Sequence, residues 1–283
     1  MWVTDSGDSE QSNFKGLWRW VVVSIMFATL LAEMFVRFPN YLSYFNGVVR
    51  PADGYKHLVD SSLDWGQDLP DLQSYVSREG GNGPFYLAYF GMGSPRYYSR
   101  VKLIYSSPDV EDYVSPPIKM LFDATLNPAD PILLGFLRAH PDYDPDLLTP
   151  FQVGGKSGVV LVKRGSTLRI AGGTYFISAS LLQPLYFQLA WGPWSETYEI
   201  KYQNLKTFVT PLMLDDNHVR AAMLHNIGVV ALQKALFEFE EYRFARLAAY
   251  LRRRKPDNNI NYSILIYHLT DVDIQEALEG PNP

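Results

Sequence analysis

The stretch DLPDLQSYVSREGGNGPFYLAYFGMGSP, residues 68–95, decides the fold class. Apolar residues recur at helical spacing from Leu69 to Val76, and the glycine pair at 80–81 predicts the end of that helix. The run PFYLAYF at 84–90 is apolar and aromatic, as in a buried strand. A helix, a strand, a glycine-containing turn and a second helix start at Pro95–Ser99 therefore follow one another, which indicates an α/β fold.

The remaining chain, from position 38 to 283, is predicted to form a single three-layer-like α/β domain with a mixed sheet. A long excursion with one short helix is expected between 106 and 150, where prolines and aspartates are dense. A hairpin partner for the strand at 158–165 is expected at 166–170, and a strand is expected to end the chain. The predicted elements are strands over 158–165, 172–182 and 261–269, and helices over 132–139, 192–209, 217–236 and 239–254.

The segment 17–37 is predicted to be a transmembrane helix that follows a polar tail at 1–16. No residue between positions 20 and 32 is charged, and the surrounding 20-residue window holds only Arg19 and Glu33 as charges. A helix of about 20 residues spans roughly 30 Å, the thickness of a hydrocarbon core. Two alternatives are a cleaved signal peptide, although no A-x-A-like site follows the run, and a buried helix of a soluble protein.

Composition excludes several classes of function. The net charge is −5 and no run of one sign dominates the sequence. Nucleic-acid-binding proteins usually have a basic face, so no nucleic-acid partner is expected. The absence of cysteine removes disulfides, zinc–thiolate sites and cysteine nucleophiles. The five histidines show no metal-ligand spacing.

Two glycine-containing motifs resemble nucleotide-binding motifs but do not match them fully. Gly91-Met92-Gly93 lacks the third glycine of the dinucleotide fingerprint, because position 96 is arginine. Gly155-Lys156-Ser157 lacks the first glycine of a phosphate-binding loop, because position 150 is proline. A tight turn explains the first motif, and we reject the second.

The densest polar cluster in an apolar setting holds the candidate ligand-binding residues Asp60, Asp64, Trp65, Gln67 and Asp68. Three carboxylates within nine residues can bind a divalent cation, the one cofactor that the sequence suggests, or accept hydrogen bonds from sugar hydroxyls. The tryptophan offers a ring face on which a sugar can stack. The alternative is turn and capping chemistry, for which aspartate is equally suited.

Several segments resemble one family. FPNYLSYFNG (38–47), VDSSLDWGQDL (59–69) and YLAYFGMGSPRYY (86–98) are similar to the C-terminal part of bacterial multi-span glycosyltransferases, the relatives of protein O-mannosyltransferases and aminoarabinose transferases. The similarity continues in GGTYFISASLLQ, GPWSETYEIKYQ and YLRRRKPDNNINYSILIYHLT, and it is weakest at 100–170. LDWGQDL is the most specific element of the resemblance.

The resemblance implies an α/β domain on the outer side of the bacterial inner membrane, working with lipid-linked sugars. The family's essential acidic residues lie in an outer loop that has no counterpart in this sequence, so no catalytic residue is carried over. We therefore expect a substrate-shaping or interaction domain that needs a multi-span glycosyltransferase partner and meets the lipid-linked sugar indirectly. The alternatives are a stand-alone sugar- or cation-binding domain, and an independent glycoside hydrolase that uses two carboxylates of 60–68.

Overall fold

A computed structural model describes residues 7–43, 48–58, 63–79, 83–95, 101–106, 116–214 and 216–283, with the side chains of 7–16 and position 37 left out. The helices are α1 (Gly7–Arg37), α2 (Leu69–Glu79), α3 (Pro131–Ala139), α4 (Gly165–Leu168), α5 (Glu196–Val209), α6 (Asn217–Ile227), α7 (Val229–Leu251) and α8 (Asp271–Glu279). The strands are β1 (Phe85–Tyr89), β2 (Lys102–Ser106), β3 (Ile118–Phe122), β4 (Tyr143–Val153), β5 (Lys156–Lys163), β6 (Gly173–Ser178), β7 (Asn258–Ile260) and β8 (Ile264–Leu269). Short 3₁₀ helices occupy Pro51–Lys56, Ala179–Leu182 and Thr210–Met213.

Helix α1 contains the predicted apolar segment. Residues Leu17–Val36 are long and apolar enough to cross a membrane, and none of this stretch is buried against the rest of the chain. The alternative of a buried helix in a soluble protein is therefore wrong. The segment has the length of a membrane span, and none of it is buried by the described part of the chain.

The central sheet is mixed, as predicted. Its strand order is β2-β1-β6-β8-β7. Strand β1 runs parallel to both β2 and β6, whereas β8 runs antiparallel to β6 and β7. The helix and strand predicted from residues 68–95 are confirmed as α2 and β1. Of the helix start predicted at Pro95–Ser99, every residue after Pro95 lies outside the described residues.

Both faces of this sheet are covered, because side chains alternate along each strand. On one face, Leu87 and Phe176 pack with Leu72 of α2. On the opposite face, Ala88 and Ile177 belong to the larger core, which includes the apolar residues of α7. Burying one such large apolar side chain stabilises the fold by about 1.5–3 kcal/mol.

A second, antiparallel sheet of order β3-β5-β4 was not predicted. Strand β5 was expected to form a hairpin with residues 166–170, and this expectation is wrong. The hairpin forms with β4 instead, because Gly154 and Gly155 have φ of 59° and 76° and so supply the left-handed backbone that a two-residue turn requires. Residues Gly165–Leu168 form the short helix α4.

Two boundaries near the C-terminus differ from the prediction. The break between the last two long predicted helices lies at Gly228, not near 237, since its φ of 83° ends α6 and its N–H bonds to the Leu224 carbonyl. The chain also does not end on a strand, because α8 follows β8. Thr270 and Asp273 form a capping box that starts this helix.

A buried arginine joins α7 to α5 and to the C-terminus. Arg246 is fully buried, and its Nε lies 2.9 Å from Oε2 of Glu199 on α5. Its guanidinium also donates to the main-chain carbonyls of Ala277 and, over 2.7 Å, Gly280. This single side chain therefore ties three separate segments together.

Candidate functional site

The loop 63–68 lies at the carboxyl ends of two parallel strands, β1 and β6. Phe90 N–H, just after β1, donates to Ser178 Oγ at the end of β6 over 3.0 Å, and Met92 N–H donates to the Trp65 carbonyl over 3.2 Å. After β1 the chain forms β2 on one side, and the next strand of this sheet, β6, lies on the other side. Such a switch in strand order is where open α/β sheets commonly bind ligands.

Two glycines let the loop 63–68 approach the strand end this closely. Gly91 has φ of 134°, and a Cβ atom there would lie 2.5 Å from the Gly66 nitrogen. Gly66 has φ of 83°, and a Cβ atom there would lie 1.9 Å from Tyr89 Oη. The first glycine of the GMG motif therefore serves backbone packing against the acidic loop.

Asp64 is the buried acid of this loop. Its side chain is 1% exposed, and Oδ1 accepts a hydrogen bond from Gly66 N–H over 2.8 Å. Among the described residues, Oδ2 has no hydrogen-bond partner. Burial raises the pKa of Asp64 to about 7, against the lowering effects of the Gly66 amide and the Ser178 hydroxyl, while Asp68 raises it further.

The near-neutral pKa gives Asp64 two chemical capacities. A protonated carboxyl can donate a hydrogen bond to a ligand oxygen, and its conjugate base can accept one or take up a proton at neutral pH. The unpartnered Oδ2 is the atom that would do this. Asp64 is thus the described member of the cluster with the clearest capacity for chemistry.

Asp68, by contrast, is fully engaged inside the protein. Oδ1 accepts from the Asn261 side-chain amide over 2.8 Å, while Oδ2 accepts from Ser263 Oγ and from Gln67 Nε2, the latter over 3.1 Å. Burial raises its pKa although these hydrogen bonds oppose that effect. The turn-chemistry interpretation fits Asp68, because both of its oxygens hold other segments in place.

Gln67 is also used within the loop. Its Oε1 accepts the Trp65 N–H over 2.7 Å, and its Nε2 donates to Asp68 and to the Leu63 carbonyl. The Gln67 amide thus holds the loop in shape instead of facing a ligand. Of the predicted residues, the structure brings Asp64, Gln67 and Asp68 together through the backbone of one tight loop.

Trp65 remains a candidate contact for a ligand. Its side chain is 51% exposed, and the neighbouring Met92 side chain is 71% exposed. An indole face at the rim of a polar loop can stack on a sugar ring or contact the apolar part of a lipid. Exposed apolar groups of this size next to a buried acid are the feature that the loop offers to a partner.

Asp60 lies outside the described residues. Within the described part of the chain, no group of three or more histidine, cysteine, aspartate or glutamate side chains is placed to hold a metal ion. The divalent cation suggested by the sequence therefore has no ligand set among the described residues of the loop.

The segment that follows α1 is attached to this site. Ser43 Oγ donates to the Asn261 carbonyl over 2.8 Å, and the Asn261 amide holds Asp68. Ser43 lies six positions after Arg37, the last residue of α1, which limits their separation to roughly 20 Å. The site is therefore held close to the end of the apolar helix.

Sequence reasoning missed the residues that build the site from afar: Ser43, Ser178, Asn261 and Ser263. The only local signal was the run NINYS at 259–263, where Asn261 and Tyr262 have φ of 48° and 68°. Asparagine tolerates this backbone conformation, so the sequence could have predicted a turn there. The contact of Asn261 with Asp68, 193 positions away in the sequence, could not be predicted.

No protein-family model, no curated protein and no solved structure matches this chain.

Proposed function

We propose that this chain is a membrane-anchored outer domain that works with a multi-span glycosyltransferase using lipid-linked sugars. In this proposal the domain lies on the outer side of the bacterial inner membrane and shapes the substrate site, while the partner carries the catalytic acids. The segments quoted above that resemble this family support the proposal, and LDWGQDL, its most specific element, forms the loop 63–68.

The single observation that carries the proposal is the hydrogen bond from Ser43 Oγ to the Asn261 carbonyl. Through Asn261 it connects the loop to Ser43, which lies within roughly 20 Å of the end of the apolar helix. A sugar attached to a membrane lipid, or the outer loops of a membrane enzyme, would meet the domain at this end. Trp65 and Met92 are the exposed apolar side chains available for that contact.

The test is site-specific photocrosslinking in membranes. The full chain is produced in bacterial cells with benzoylphenylalanine at position 65 and, as the matched control, at position 153, an exposed site on the hairpin of the second sheet. We expect a multi-span glycosyltransferase, identified by mass spectrometry, on position 65 and not on position 153. External protease should cut the domain in spheroplasts. Equal labelling at both positions, or a protected domain, would contradict the proposal.

A second candidate is a stand-alone sugar-binding domain. The exposed Trp65 ring beside the unpartnered Asp64 Oδ2 favours it. It predicts that the full chain in detergent binds free saccharides in saturation-transfer NMR, and that Asp64→Ala and Trp65→Ala abolish the signal. Saccharide binding without any crosslinked enzyme would favour this candidate over the first.

The third hypothesis, an independent glycoside hydrolase, finds less support. Such chemistry needs two available carboxyl groups. Of Asp64 and Asp68, the two described acids in the loop, Asp68 has both oxygens occupied by internal donors. We do not pursue this hypothesis further.

A further inference from the structure

A cavity of about 610 Å³ lies beside the edge strand β2. It is enclosed by the edge strand β2, the chain before β3, the end of β5 and the first half of α7. None of the described residues of the loop 63–68 line it. Its volume falls within the range of about 300–1,000 Å³ that is typical of small-molecule sites.

The charged side chains of this cavity are predominantly cationic. They are Lys102, Lys163, Lys234, Arg243, Glu240 and Glu241. Among the described residues, the lining therefore carries a formal excess of two positive charges, which the carboxylates of Asp142 and Glu238 just outside it offset.

Three of the cations already have carboxylate partners, and one of them is Lys234, whose Nζ lies 3.8 Å from Oε1 of Glu238. Arg243 forms an ion pair with Glu240 and donates to the Leu168 carbonyl over 2.6 Å. Lys163 Nζ lies 2.9 Å from Oδ2 of Asp142, a residue that does not line the cavity. These ion pairs hold the walls of the cavity in place. Lys102 is the remaining cation of the lining.

Lys102 is the cation without a counter-charge. Its Nζ donates to the Arg169 carbonyl and lies 5.6 Å from the centre of the Tyr86 ring. Among the described residues, no carboxylate lies within ion-pair distance of it. Burial, and then the positive charge of Arg243, lower the pKa of Lys102 to about 8, while Glu240 opposes this. A half-buried ammonium group held next to another cation is stabilised by an arriving anion.

Apolar side chains complete the lining. Ile104 of β2 lies on one wall, and Val230 and Phe237 lie on α7. Val230 and Phe237 are 66% and 43% exposed, which is unusual for large apolar groups on a helix that is otherwise mostly buried. A ligand with an apolar body would cover them.

We propose that this cavity binds a small amphipathic anion, whose phosphate or carboxylate group pairs with Lys102 and whose apolar body contacts Val230 and Phe237. The ammonium group of Lys102, which has no carboxylate within ion-pair distance among the described residues, and the exposed apolar wall point to the same ligand chemistry. The site is separate from the loop 63–68, so it does not depend on the glycosyltransferase proposal.

The probe is phenyl phosphate, titrated by calorimetry into the full chain in nonionic detergent, with empty micelles as the blank. We expect saturable binding in the wild type, at least tenfold weaker binding of inorganic phosphate, and none of benzyl alcohol, which lacks the charge. Benzoate in place of phenyl phosphate separates a carboxylate-binding site from a phosphate-binding one. Absence of saturable binding for both organic anions overturns the proposal.

Two variants place the binding in this cavity. Lys102→Met should weaken phenyl phosphate binding about tenfold or more, because a charge-assisted hydrogen bond is lost. Lys255→Met, at an exposed position outside the lining, is the matched control and should leave it unchanged. If Lys102→Met fails to fold, Val230→Trp replaces it, since this exposed position tolerates bulk and the indole would fill the mouth. Undiminished binding in a folded Lys102→Met or Val230→Trp variant contradicts the proposal.

Discussion

The side-chain amide of Asn261 donates a hydrogen bond to Asp68 Oδ1 over 2.8 Å, although 193 residues separate them. Asn261 occupies the turn between β7 and β8, and Asp68 comes just before α2. The same asparagine accepts the hydrogen bond of Ser43, which follows the apolar helix. One turn residue thus connects the chain leaving α1, the edge of the sheet and the acidic loop.

Asp68→Asn should destabilise the protein by about 1–3 kcal/mol, because it keeps the volume but replaces a buried acceptor of three hydrogen bonds with an amide. The donors are Asn261, Ser263 and Gln67. Urea unfolding in detergent at pH 8, followed by tryptophan fluorescence, measures the change.

Asp71→Asn is the matched control for this substitution. Asp71 also accepts from Asn261, over 2.5 Å, but its side chain is exposed to water. We expect a change within about 0.5 kcal/mol. Equal effects of the Asp68 and Asp71 substitutions would show that the buried network does not stabilise the loop.

Asp64 should make the folded protein less stable as the pH rises. Its pKa is about 7 in the folded protein, against the ordinary value of 3.8, so the native state holds a proton that the unfolded state has released between these values. The free energy of unfolding therefore falls as pH rises through this window and becomes level above 7. Asp64→Asn removes this contribution.

The measurement is urea unfolding of the wild type and Asp64→Asn at pH 5 and pH 8. The loss of stability between the two pH values should be larger in the wild type, on the order of 2 kcal/mol at most. Comparing the two proteins cancels the titration of other groups. Identical pH dependence would mean that Asp64 is ionised throughout and would remove it as a near-neutral acid.

Local patterns in the sequence predicted some elements well and others poorly. The helix α2 and the strand β1 were readable because their apolar spacing and bounding glycines are local signals. Strand β4 was not, because Pro145 and Pro150 argue against a strand. It tolerates them as an edge strand of the order β3-β5-β4, a position that only the pairing of three segments reveals.

The candidate site shows the same division between local and distant information. Asp64 and Asp68 stood out by composition, yet their different roles depend on partners from other parts of the chain. Asp68 accepts hydrogen bonds from Asn261 and Ser263 of the β7–β8 turn, whereas no described donor lies in hydrogen-bond geometry with Asp64 Oδ2, although the Ser178 hydroxyl is near enough to lower the pKa of Asp64. A sequence pattern does not show which segments almost 200 residues apart come into contact. It therefore cannot distinguish Asp68, which holds the structure together, from Asp64, whose Oδ2 has no hydrogen-bond partner among the described residues.

Gly91→Ala should displace the acidic loop. The new Cβ atom would lie 2.5 Å from the Gly66 nitrogen, and the φ of 134° is itself unfavourable for alanine. Because the obstacle is backbone, the loop 63–68 must move. The 19F NMR resonance of 5-fluorotryptophan at position 65, assigned with Trp65→Phe, should shift and broaden.

Gly83→Ala separates the steric effect from the backbone strain. Gly83 has φ of 102°, but a Cβ atom there would meet none of the described residues within 4 Å. We expect this variant to lose about 1 kcal/mol of stability, as is typical for backbone strain, with the Trp65 resonance unchanged. A resonance that moves equally in both variants, or in neither, would contradict the close packing of Gly91 against Gly66.

Arg246→Met should cost about 3–5 kcal/mol, since it leaves the Glu199 carboxylate without its buried cation and frees the main-chain carbonyls of Ala277, Gly280 and Pro281. The ion pair is 2.9 Å long, and Arg246 is fully buried. Arg253→Met, at an exposed position, is the control and is expected to change stability by less than about 0.5 kcal/mol.

Adding Glu199→Gln to Arg246→Met should restore part of the loss, because the uncompensated charge disappears while the acceptor for Trp194 Nε1 remains. Additive losses in the double variant would instead assign the cost of Arg246→Met to lost packing and to the unpaired carbonyls of Ala277 and Gly280.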